Sequence, residues 1–89
     1  MKEIVINGAR ITSVEAAHSY LAHKFNFPEF YGRNLDALWD ILSTTSVPTH
    51  VAIINANKLH ESLGEYGQSL INVFVEADQT NANLHCEII

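Results

Sequence analysis

Three short strand-like runs, each separated from the next by two helix-like stretches, constrain this chain more than any other feature. Lys2 to Asn7 holds Ile4, Val5 and Ile6 in a row, Thr49 to Ile54 holds Val51, Ala52, Ile53 and Ile54, and Leu84 to Ile88 closes the chain. The first two are continuous rather than alternating, a pattern that suits strands covered on both faces. A crossover long enough for two helices returns the chain to the same end of the sheet, so the strands should pair in parallel. The expected fold is a small α/β domain: a three-stranded parallel sheet with four helices. The 89 residues make one domain, 1–89, with room for a single core and no linker or repeat.

The helices follow from caps and periodicity. Asn7-Gly8 turns the chain. Thr12 with Glu15 reads as a capping box, and Val14, Ala17, His18, Leu21 and Phe25 recur at helical spacing, which predicts a first helix from about Ser13 to Phe25. Asn34 is a good N-cap for a second helix over about Leu35 to Leu42, entered through a turn that Gly32 loosens. Asn55 can cap a third from about Ala56 to Leu63, directing Leu59 and Leu63 inward, and Gly64 and Gly67 loosen the next junction. A fourth, from about Gly67 to Asp78, should bury Leu70, Ile71, Val73, Phe74 and Ala77 and leave Ser69, Asn72 and Glu76 wet.

The second helix carries the functional signal. At 100° per residue, Leu35, Leu38, Ile41 and Leu42 share the side to be buried. Asp36 and Asp40 share the other, one turn apart, with Trp39 at the border. Like charges at that spacing cost a few tenths of a kcal/mol, Asp is a mediocre helix former, and Asp40 sits near the negative end of the helix dipole. Folding alone does not ask for these residues. A solvated surface is the commoner meaning of paired acids, and a helix Trp is more often core; the alternative is a partner that wants two fixed negative charges beside an aromatic ring.

The loop from Asn26 to Arg33, broken by Pro28 and Gly32, carries Phe27, Phe30 and Tyr31, much apolar area for a connection. These rings either plug the core or rim a contact surface; Phe27 is expected in the core and Phe30 partly exposed. Ser43 to Pro48 is a polar loop, and Gln79 to Asn83 a polar turn.

Composition narrows the partner. Ten acids against five Lys and Arg give a net charge of -5, which disfavours nucleic acid and suits a basic protein. Cys86 is the single cysteine, so no internal disulfide is available, and a reducing cytoplasm is the natural compartment. No signal-peptide pattern opens the chain, and no segment approaches the roughly 20 apolar residues of a membrane span. His18 lies on the first helix's apolar stripe and reads as a core or boundary histidine with a hydrogen-bonded ring. With His23, His50, His60 and His85 it forms no metal-ligand spacing, and no cofactor motif is present.

The run Phe30-Tyr31-Gly32-Arg33-Asn34-Leu35-Asp36-Ala37-Leu38-Trp39-Asp40 resembles the signature of the barstar family, intracellular inhibitors of the bacterial ribonuclease barnase. Val5-Ile6-Asn7-Gly8, Pro28-Glu29, Val73-Phe74 and Glu76-Ala77 match in order and approximate position, so the resemblance covers nearly the whole chain. It implies a non-enzymatic protein, monomeric when free, whose second helix and preceding loop plug the active site of a secreted, basic ribonuclease. Asp40 would be the central phosphate mimic and Asp36 its neighbour. Glu76 would support them from the fourth helix, with Phe30, Asn34, Leu35, Trp39, Ser43 and Thr44 as the surrounding contact. Carboxylates suit such a task because their pairs with Arg are strong and directional.

The chain departs from the family pattern at the rim. Phe30 stands where one known family member has a tyrosine, Thr45 where a second tryptophan is expected, and Ser46 to Pro48 is one residue shorter. The paired cysteines of that member are absent, with Ile41 in one place and Cys86 elsewhere. Two other readings stay open: a barstar-like immunity or protein-binding module for a different basic toxin, and a small enzyme using Asp36 and Asp40, which a deep pocket enclosing both carboxylates would favour.

Overall fold

The computed structural model describes residues Met1–Ile89. In chain order it holds strand β1 (Lys2–Asn7), a 3-10 turn (Gly8–Arg10), helix α1 (Val14–Phe25), helix α2 (Leu35–Thr44), strand β2 (Thr49–Ile54), helices α3 (Ala56–Leu63) and α4 (Glu65–Thr80), and strand β3 (Leu84–Ile88). The strands form one parallel sheet in the order β1-β2-β3, with Lys2, Thr49 and Leu84 in register. The α/β class and the parallel pairing are as the crossover lengths predict.

Both-face burial of the first two strands does not hold. In β1, Ile4 and Ile6 are buried while Val5 between them is 49% exposed; β2 alternates buried Val51 and Ile53 with half-buried Ala52 and Ile54. The inward set, with Leu84, joins Ala17, Leu21, Leu38, Leu42, Leu59, Leu70, Ile71, Phe74 and Ala77 in one core. A chain of this length covers one face of the sheet well and leaves the other, where Val5, Ala52 and Ile54 stand among Glu3, His50 and Glu87, partly open. On that open face His50 lies 3.8 Å from a Glu3 oxygen and 3.9 Å from a Glu87 oxygen.

Local chemistry explains the other departures. Ser13, not Thr12, caps α1, its Oγ accepting from the Ala16 N–H at 3.1 Å, so the helix starts one residue later and the Thr12–Glu15 box does not form. Asn55 precedes α3 but makes no cap: its backbone is left-handed (φ 53°) and its side-chain amide donates to Asn7 Oδ1 at 2.9 Å. The fourth helix begins at Glu65 and runs through Gly67. Gly67 therefore loosens nothing; a Cβ there would collide with the Leu59 carbonyl, and its absence lets α4 pass close to α3. No buried side-chain nitrogen or oxygen lacks a hydrogen-bond partner.

Candidate functional site

The site begins with the loop before α2. Phe27 stacks on Phe25 with centroids 5.2 Å apart and meets Tyr31 at 4.7 Å, while Phe25 reaches Phe74 of α4 at 6.1 Å. Tyr31 thus plugs the core, Phe27 is half-buried against it and not in it as expected, and Phe30 is 79% exposed at the rim. The loop residues in the left-handed region are Asn26 (φ 58°) and Arg33 (φ 54°), not Gly32. Gly32 matters for space: a Cβ there would lie 3.1 Å from that of Ala37, so the loop rides directly on α2. Arg33 is held by donating to Ser19 Oγ of α1 at 2.8 Å.

Asn34 then caps α2 as expected, its Oδ1 accepting from the Ala37 N–H at 2.7 Å and its amide donating to the Gly32 carbonyl at 3.3 Å. The helix extends past the expected end at Leu42 to Thr44, where the Thr44 hydroxyl donates to the Asp40 carbonyl and Ser43 Oγ lies 3.5 Å from the same oxygen. At the far end, the buried Asn81 amide donates to the carbonyls of Leu42 (3.0 Å) and Thr45 (2.9 Å), satisfying groups that a helix C-terminus leaves unpaired. The helix is held at both ends by side-chain amides.

Between those anchors, Leu38 and Leu42 are fully buried, and Leu35, Trp39 and Ile41 are half-buried. Asp36 and Asp40 are exposed, as is Glu76 on α4, the helix packed along α2. None of the three acids has a cationic partner within the chain; its ion pairs are His50 with Glu3 and Glu87, and Lys58 with Glu61. Asp40 and Phe30 come together on a shallow hollow of about 250 Å³ lined also by Pro28, Tyr31, Gly32, Ala37 and Ile41. Asp36 and Glu76 lie outside it. No three His, Cys, Asp or Glu side chains stand close enough to share a cation.

Behind the loop lies a contact that local pattern only half shows. The His18 ring, 1% exposed, bonds Tyr31 through Nδ1 (2.7 Å) and Tyr66 of α4 through Nε2 (2.6 Å). Burial, with the Arg33 charge second, pushes His18 below its ordinary range; burial first, and Tyr66 next, raise the Tyr31 hydroxyl to about 12. A satisfied ring is what the apolar stripe predicts. Tyr66 carries no sequence signal, because its role depends on how α4 crosses α1.

Residues 1–88 match the family model described as Barstar (barnase inhibitor). A curated relative from Bacillus subtilis (strain 168), named "Putative ribonuclease inhibitor YrdF", is 36% identical over 80 residues, which cover 89% of this chain and 88% of the relative. The match runs over nearly the whole chain, and the chain belongs to the barstar family.

Proposed function

We propose that this protein inhibits a secreted ribonuclease of the barnase type, without catalysis of its own, by seating α2 and the loop before it in the enzyme's active site. The carrying observation is that Asp36 and Asp40 stand exposed and unpaired on a helix anchored at both ends. Such charges cost little to bring to a cationic site, because they give up no partner within the chain and the helix is already ordered. Asp40, beside the hollow, takes the position of an RNA phosphate, with Asp36 next to it and Glu76 adding charge from α4. Phe30, Asn34, Leu35, Trp39, Ser43 and Thr44 form the surrounding contact, Asn34 mainly by capping the helix. The protein acts in the cytoplasm as a monomer, with no nucleic acid or membrane involved.

The exposed Phe30 ring favours a second reading, in which the same helix serves a different basic toxin, because a rim without a tyrosine hydroxyl at that position suits a different surface opposite. The open placement of both carboxylates argues against an enzyme. The test is inhibition of a barnase-type ribonuclease by the purified protein, beside Asp40→Ala and at high salt. Stoichiometric inhibition that the substitution abolishes and salt slows supports the first reading. Failure of the folded protein to inhibit moves the function to another partner.

A further inference from the structure

His18 sits where three elements meet. Tyr31 and Arg33 face it from the loop, Tyr66 faces it from α4, and Glu15 of its own helix shares with Arg33 the cavity beside it. A neutral imidazole offers one N–H and one lone pair, so it donates to one tyrosine hydroxyl and accepts from the other. An imidazolium offers two N–H groups and no lone pair. The hydroxyl that donated to the ring must then turn its proton elsewhere, and neither Tyr31 nor Tyr66 has a second side-chain or backbone partner through its hydroxyl. The new charge would also be buried near the Arg33 guanidinium.

Tyr31 is more than a plug. Its ring packs on Phe27, its N–H donates to the Pro28 carbonyl at 3.0 Å, and it lines the same hollow as Phe30 and Asp40. Displacing it displaces the wall beside the acid. We propose that His18 is a positioning residue for the partner-facing loop: when neutral it ties Tyr31 to α1 and, through Tyr66, to α4, and when it gains a proton it frees the loop and weakens what the loop and α2 bind. The proposal rests on the ribonuclease reading only for the identity of that partner. By linkage, the partner in turn holds His18 neutral.

The experiment has two arms, each comparing wild type with His18→Asn, whose amide reaches the Nδ1 position and does not titrate; His18→Gln, which reaches the Nε2 position, serves if the first variant fails to fold. In the free protein, NMR follows the His18 ring and the Tyr31 and Gly32 amides from pH 8 to 5. Expected are a common midpoint in the wild type, a protection factor at the Tyr31 N–H lower by about tenfold below it, and no such titration in the variant. Loop amides that stay still while the ring titrates, or that titrate equally in the variant, overturn the proposal. In the second arm, affinity for a barnase-type ribonuclease should fall by up to about tenfold per pH unit below that midpoint in the wild type, and less in the variant. Equal falls overturn the coupling to binding. A coupled loop with no binding at any pH counts against the ribonuclease and leaves the His18 clamp standing.

Discussion

The side-chain amide of Asn81 donates to the carbonyl of Leu42, 39 residues earlier in the chain, and thereby closes the C-terminal end of the acidic helix. The same amide serves Thr45, and Asn81 Oδ1 accepts from the Asn83 N–H at 3.0 Å. Asn81→Ala strips three hydrogen bonds and leaves helix-end carbonyls unpaired at a buried site. A loss of about 2 kcal/mol is expected, read from urea unfolding, together with faster exchange in the last turn of α2.

Gly67 tests the approach of α3 to α4. In most helix interiors Gly→Ala adds stability, about 1 kcal/mol, by stiffening the unfolded chain. Here the added methyl meets the Leu59 carbonyl, backbone that cannot swing aside. Gly67→Ala should instead lower stability by about 2 kcal/mol, a reversal of sign visible in the urea midpoint.

Asp40 should show opposite effects on stability and binding. Removing an exposed, unpaired acid from near the C-terminal end of a helix relieves dipole and like-charge terms, so Asp40→Ala is expected to raise stability by about 0.5 kcal/mol. The partner's cations, left buried without their anion, should cost about 3 kcal/mol of affinity, two orders of magnitude in Kd. Denaturation and titration of the same variant measure both.

His18 also makes stability depend on pH. Its folded value lies below the unfolded one, so between the two the unfolded chain binds more protons and stability rises with pH. The contribution is complete above the ordinary histidine range near 6.5 and is lost as pH falls through the folded value. Tyr31 works on the alkaline side: its hydroxyl is raised to about 12, so its contribution is whole below about 10 and is lost as pH rises toward 12. Urea midpoints taken from pH 8 down to 5 should fall in the wild type and flatten in His18→Asn.

Cys86 should be slow to react. Burial, with Asp78 next, pushes its thiol up to about 12, and the Asp78 carboxylate is tied to the Cys86 N–H at 2.9 Å. Little thiolate is present at pH 8, so alkylation of the native protein is expected to lag far behind that of the unfolded chain, as mass spectrometry would record.

Particular residues show how far the sequence could be read. Asn34 capped the second helix where expected, because a cap is decided within four residues. The outward position of Asp36 and Asp40 followed from the 100° step between neighbours. Val5 is exposed where the continuous apolar run predicts burial, since whether a sheet face is covered depends on where helices from elsewhere in the chain settle. Gly67 allows close packing where its type predicts a loosened junction, for the same reason: its use lies in Leu59, a neighbour only once α3 and α4 pack.

Periodicity, capping and connection length are local, and they suffice for the order of strands and helices, the parallel pairing that two-helix crossovers impose, and the acidic face of α2. The tertiary structure alone decided that Tyr66 meets His18 and that Asn81 closes α2. It also decided that the exposed Phe30 shares a hollow with Asp40. Those contacts join residues far apart in the chain, and what brings them together is the burial of one shared core, which no local pattern encodes.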